Sequence, residues 1–329
     1  MKALIPKKNL LLLLLALESR MDVVAPIRAG GVPVFASWKG QPLALESNPL
    51  IPPQEFLLPQ RDVLFRYIQD CGRYTFEKES AKPRLILGIR PCDLKAVAVL
   101  DRIFGREPLD HPYFDRRRST VLMGLNCLEP CEGGSCAAFG AGPGADELAD
   151  LQLTELGEGF FVETGSPAGV LILREHHEFF IEAGKRHEAE KREALLRARE
   201  AVEREAEASP SEIKKAIEKA DWNALGRQCL SCGSCTFVCP ICHCFTIMDI
   251  GVPDGERLRC RDTCILSGFT RMTSGVNPRK SQGERLRNWF LDKFEYIPEN
   301  TGLLGCVGCG RCSRACLAEI DRQMLEVLR

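Results

Sequence analysis

An excess of charge of one sign, long apolar runs and the common nucleotide and hydrolase motifs are all missing from this sequence. Each absence narrows what the chain does. With a formal net charge of -1 and a near-neutral pI, the chain offers no basic footprint for nucleic acid. The apolar run over residues 10–17 is far shorter than the ~20 residues that cross a bilayer, so no transmembrane segment is expected. Lys2, Lys7 and Lys8 precede that run as in a signal peptide, but Glu18, Ser19 and Arg20 follow it in place of a small-residue cleavage site. A buried first helix over residues 9–20, feeding a strand over 23–27, is the expected reading, with a signal peptide as the alternative. No G-x-G-x-x-G follows a strand, and there is no P-loop, no H-E-x-x-H and no recognisable nucleophile beside a base.

What is abundant is cysteine, with seventeen in 329 residues. Eight fall in two copies of one string: Cys229-x-x-Cys232-x-x-Cys235-x-x-x-Cys239-Pro240 and Cys306-x-x-Cys309-x-x-Cys312-x-x-x-Cys316. This is the bacterial-ferredoxin run that holds 4Fe-4S clusters. Three thiolates spaced this way on a turned loop reach three corners of one cube, and the fourth cysteine ligates the other cube. The expected sets are therefore Cys229, Cys232, Cys235 and Cys316 for one cluster, and Cys306, Cys309, Cys312 and Cys239 for the other. Zinc is the competing reading, but a tetrahedral site has no use for a third C-x-x-C step and a C-x-x-x-C tail in each copy. A disulfide framework belongs to small secreted domains, which this chain does not resemble. So many functional thiols imply a reducing compartment, and the expected location is cytoplasmic.

The length suggests about two domains. Over residues 1–182, short apolar strand-like runs (85–89 and 121–125) alternate with helical stretches such as 93–104, which predicts an α/β domain. Residues 183–221 are rich in Ala, Glu, Lys and Arg and read as a charged helical linker broken at Ser209-Pro210, with a docking arm as the alternative. Residues 222–329 are expected to form a mainly helical, ferredoxin-like two-cluster domain. The long insert between Cys239 and Cys306 carries a helical stretch over 282–294.

Nine cysteines lie outside the two strings. Cys71 stands alone and is expected to pack as a small hydrophobe. Cys92 and Cys127 each end a predicted strand, so if those strands are parallel neighbours both thiols emerge at one sheet edge. The glycine-rich loop that follows adds Cys131 and Cys136. A third 4Fe-4S cluster on Cys92, Cys127, Cys136 and one further cysteine competes here with simple thiol burial. Cys242, Cys244, Cys260 and Cys264 form another metal site, complete one of the others, or line the core; the spacing leaves these open. His243 is read as a bystander.

Four segments together resemble a known family: Ile89-Arg90-Pro91-Cys92-Asp93-Leu94, Gly124-Leu125-Asn126-Cys127-Leu128-Glu129-Pro130, the first string running into Cys239-Pro240-Ile241-Cys242-His243-Cys244-Phe245, and Gly305-Cys306-Val307-Gly308-Cys309-Gly310-Arg311-Cys312. The chain is similar to the beta subunits of cytoplasmic sulfhydrogenases and to the two-cluster electron-transfer subunit of anaerobic sulfite reductase, over nearly its whole length. The resemblance implies an iron-sulfur subunit that passes electrons between a flavin-bearing partner and a separate catalytic redox subunit. It also implies that Cys92, Cys127, Cys136, Cys242, Cys244 and Cys264 are positions where relatives carry cysteine. Two departures stand out: Gly134 replaces a cysteine common in relatives, and Leu317 follows Cys316 where proline is usual. The alternative is an oxidoreductase that binds its own flavin or substrate, with Arg116 to Arg118 and the Gly133 to Gly144 loop cradling phosphates.

Overall fold

A computed structural model describes residues 1–145, 148–204, 206 and 208–326. Residues 205 and 207 of the expected charged helix, and 327–329 of the expected two-cluster domain, lie outside the described residues.

The chain opens with β1 (Lys2–Pro6) and α1 (Lys7–Glu18), then β2 (Asp22–Ala29) and β3 (Val32–Ser37). Helix α1 buries Leu10, Leu13, Leu14 and Leu17 and leaves Leu11, Leu12 and Leu15 exposed, a helical period that makes the leucine run one side of a layer. After β4 (Arg61–Asp70) and β5 (Arg73–Glu77) come β6 (Arg84–Ile89), α2 (Pro91–Phe104), α3 (His111–Arg118) and β7 (Thr120–Leu125). Then follow β8 (Leu151–Leu156), β9 (Gly159–Thr164), α4 (Pro167–Glu175) and β10 (Ile181–Glu182).

Eight of these strands form one sheet in the order β10-β1-β9-β8-β7-β6-β2-β3. Its centre, β2, β6, β7 and β8, is parallel. Central strands covered on both faces need apolar residues on both, and β6 shows it. Leu85 and Leu87 pack with α1 on one side, while Ile86 packs with α2 and α3 on the other. The carboxyl ends of β6 and β7 are neighbours, which puts Cys92 and Cys127 at one edge.

Beyond the sheet lie α5 (Lys185–Arg204), α6 (Pro210–Lys219), α7 (Trp222–Gln228) and α8 (Ser234–Phe237). Helix α5 is no free arm: Ala198 and Val202 are buried, and Lys191 pairs with Glu163 of β9. The insert between the cysteine strings is not wholly helical. It supplies β11 (Phe245–Ile250) and β12 (Gly255–Arg261) before α9 (Gln282–Leu291), a π turn over Asp292–Tyr296, and α10 (Ile297–Thr301). Helices α11 (Arg311–Ala315) and α12 (Ile320–Glu326) end the described chain.

Strands β11 and β12 join β4 and β5 in a second sheet, β11-β12-β4-β5, built from both sides of the expected domain boundary. Two buried ionic contacts fasten the same seam. Arg259 of β12 and Arg116 of α3 converge on Asp62 of β4. Arg311, with no exposed surface, grips both oxygens of Asp93 at 2.6 and 2.9 Å and also donates to the Asn48 side chain and the Pro49 carbonyl. Cys71 corrects its sequence reading: it is exposed in the β4–β5 turn, at a positive φ of 46° that the tight reversal imposes, and packs against no core.

Truncating one partner of a fully buried ion pair strands the other charge, so Arg311→Ala is expected to destabilise the protein by about 3–5 kcal/mol. Anaerobic denaturant unfolding checks this, and the double variant Asp93→Asn with Arg311→Met should recover much of the loss.

Candidate metal centre

The two cysteine strings share one backbone design. Each winds through two left-handed residues and then enters a short helix. In the first these are Ser231 (φ 55°) and Gly233 (φ 74°) ahead of α8; in the second, Gly308 (φ 61°) and Gly310 (φ 71°) ahead of α11. Left-handed turns curl each loop so that its three successive thiols line one cavity. Helices α8 and α11 pack against each other, which brings the tail of each string to the loop of the other.

The thiols accordingly surround two neighbouring cavities. One is lined by Cys229, Cys232, Cys235 and Cys316, with Ile265, Trp289 and Phe290. The other is lined by Cys239, Cys306, Cys309 and Cys312, with Trp289, Phe294 and Val307. Cys312 borders both. Among the described residues, no three His, Cys, Asp or Glu side chains converge as ligands for a single ion. The thiols are arranged around volumes.

Burial sets the ionisation of Cys235, Cys306 and Cys312. It pushes Cys235 and Cys306 up to about 12, and Cys312 well above the ordinary thiol range. Thiols placed like this become thiolates only beside a strong positive charge, which a metal core supplies. Nitrogen donors are already aimed at sulfur: Gln282 Nε2 at Cys229 Sγ (3.3 Å), the Gly308 amide at Cys306 Sγ (3.4 Å) and Lys293 Nζ at Cys239 Sγ (3.1 Å). Cys239 is held well below the usual range, first by its hydrogen bond with Cys242 and then, against burial, by Lys293. Cys232 differs from the rest in being exposed, and the Ser234 hydroxyl lowers its pKa. The donor set therefore fits a thiolate-bound iron-sulfur group.

A third thiol group sits at the sheet edge. Cys92 opens α2, Cys127 follows β7, and Cys131 and Cys136 lie on the loop between β7 and β8. Cys136 is within Coulombic range of Cys127, Cys131 and Cys309; Cys92 is within range of Cys309 and Cys127. Burial pushes Cys127 up to about 11 and Cys136 up to about 12. The loop is clamped to the second string: the Ser135 amide donates to the Gly308 carbonyl at 2.7 Å.

A further set lies on the far side of Cys239. Cys239 touches Cys242, and Cys244 touches Cys264, all in a largely buried patch beside Lys293. His243 bonds the Ile241 carbonyl and sets its ring against Phe104, away from the thiols. Cys260 is held in the β12 ladder opposite Thr246 and Arg61. The basic run is engaged elsewhere, Arg116 by Asp62, Arg117 by Asp101, and Arg118 over the Phe114 ring.

Sequence reasoning missed Lys293, Gln282 and Arg311. Lys293 carries the one legible signal, a charged residue one turn beyond Trp289 and Phe290, in register with the buried side of the helix.

A methyl group at Gly310 would meet the Gly133 backbone carbonyl at 2.5 Å, at a positive φ. Gly310→Ala is therefore expected to cost more than about 1 kcal/mol and to loosen the loop carrying Cys131 and Cys136. Thermal unfolding and hydrogen exchange of that loop check this.

The sequence pattern of the 4Fe-4S dicluster domain matches residues 228–320, which span both cysteine strings. Across 293 residues the chain is 30% identical to the sulfhydrogenase 2 subunit beta of Pyrococcus furiosus, covering 85% of this chain and 83% of that protein. With its dicluster domain and its thiol-lined cavities, this chain belongs to the sulfhydrogenase beta-subunit family.

Proposed function

We propose that this chain is the iron-sulfur relay subunit of a multisubunit oxidoreductase, passing electrons between a flavin-bearing partner and a separate catalytic subunit of hydrogenase, sulfite reductase or disulfide reductase type. The observation that carries the reading is the pair of adjoining cavities, each lined by thiols from both strings. In this reading Cys229, Cys232, Cys235 and Cys316 hold one 4Fe-4S cluster, and Cys306, Cys309, Cys312 and Cys239 hold the other. Such clusters, when bound, supply reversible one-electron chemistry that no side chain of this protein offers.

The residues around the thiols have defined tasks. Trp289 walls both cavities, with Phe290, and Phe294 adds an apolar ring to the second. Gln282, Lys293 and the Gly308 amide orient sulfur lone pairs. Cys92, Cys127, Cys136 and Cys131 are the ligands we assign to a third cluster, with Cys131 standing in for the cysteine that Gly134 replaces. Because Cys309 lies within range of Cys92 and Cys136, the three thiol groups form a continuous series from the sheet edge inward. The series reaches the surface at Cys232, where Leu230 and Leu317 are 62% and 88% exposed. Apolar side chains around an exposed ligand suit the docking of a redox partner. Among the described residues no helix is long and apolar enough to cross a membrane.

The relative's name makes it one subunit of a sulfhydrogenase, which supports a partnered role here too. The alternative, a chain binding its own flavin, gains nothing from Arg116 and Arg117, which already hold carboxylates.

Iron analysis of anaerobically purified protein tests the reading: about twelve irons per chain fit three clusters, whereas about eight keep the two string clusters and exclude the third. A colourless, iron-free protein contradicts it. Cys239→Ser should remove the cluster of the second string more than that of the first, as seen by electron paramagnetic resonance; selective loss of the first refutes the crossed assignment. Leu317→Asp should slow reduction by the partner by about tenfold, while iron content and reduction by dithionite stay unchanged.

A further inference from the structure

Lys293 is only 4% exposed and sits on the π turn that extends α9. Wide turns of this kind recur at functional sites. Its Nζ meets three acceptors, Cys239 Sγ at 3.1 Å, Cys242 Sγ at 3.7 Å and the Gly305 carbonyl at 3.4 Å. An ammonium has three N–H donors, so each is used. Among the described residues no carboxylate lies within 4 Å of it, since it takes part in none of the ion pairs at that distance. A buried ammonium with no carboxylate in contact needs another counter-charge, and the sulfurs of Cys239, Cys242 and Cys306 supply it ahead of the more distant Asp292.

The two cysteine strings, alike in sequence, are unlike in this respect. In the first, Cys229 receives a neutral amide from Gln282, and Cys232 faces solvent beside Ser234. In the second set, Cys239 receives an ammonium. The other buried cation nearby, Arg311, is already matched by Asp93.

We propose that Lys293 is the positioning residue that separates the two clusters in potential. Its ammonium makes the cluster held by Cys239, Cys306, Cys309 and Cys312 the more easily reduced of the pair. The inference rests on the two-cluster reading above. Uptake of one electron from a reduced flavin or from dithionite adds one negative charge to a cluster and its thiolates; no bond breaks and no proton is required. A cation at hydrogen-bond distance favours that extra charge, and its influence falls with separation. The first set lies further off and shares the effect weakly.

The test is a redox titration of the full chain, anaerobically purified and followed by electron paramagnetic resonance. In Lys293→Met, the reduced-to-oxidised ratio of one cluster at fixed ambient potential should fall at least tenfold, about 59 mV for a one-electron couple. The other cluster should hold its potential, and iron per chain should be unchanged. Lys293→Arg should restore most of the shift. Unchanged potentials, or equal shifts of both clusters, overturn the proposal. Should Lys293→Met lose iron, the titration is made on Lys293→Gln, which keeps a donor toward sulfur without the charge: a lowered potential of one cluster supports the proposal, while potentials equal to the parent, or iron lost there too, overturn it. An unaltered protein without two cluster signals refutes the two-cluster reading instead.

Discussion

A thiolate is costly to bury unless positive charge lies beside it, and the C-terminal half of this protein is organised around that constraint. Cys235, Cys306 and Cys312 lie among Trp289, Phe290 and Phe294, where a bare thiolate would be strongly disfavoured. A metal core resolves the conflict, and so do the donors already turned toward sulfur. Lys293 follows the same logic in reverse, being a buried cation whose neighbours are sulfur. Each side makes the burial of the other tolerable.

Rigidity is the second theme. The seam between the α/β layer and the cysteine-rich region is a continuous antiparallel sheet, reinforced by the Asp62 and Asp93 ion pairs. The loop bearing Cys131 and Cys136 interlocks with Gly308 and Gly310, where even one added methyl collides with backbone. Fixed spacing between redox sites suits a relay, since little reorganisation then accompanies each transfer. Arg311, placed between Cys309 and Cys312 in sequence and bonded to the residue after Cys92, connects the second string to the sheet edge.

Much of this was legible in the sequence because it is encoded locally. The cysteine spacing carries the paired motifs, the apolar runs at 85–89 and 121–125 became β6 and β7, and the leucine period produced α1. The second sheet was not legible: β11 and β5 are exposed along their whole length, so no alternation marks them, and the pairing that joins the two hairpins, β12 with β4, lies far apart in sequence. Arg311 and Asp93 each look like ordinary surface charges until long-range packing buries both. Cys71 shows the converse failure, a small apolar residue that a tight turn holds at the surface.

The central claim is that two clusters sit close together, bound by thiols exchanged between the strings. Electron paramagnetic resonance of the fully reduced protein tests it most directly. Two neighbouring paramagnetic clusters should broaden and split each other's signals. A spectrum with no signal after dithionite, or one in which the two signals show no mutual interaction, contradicts the account.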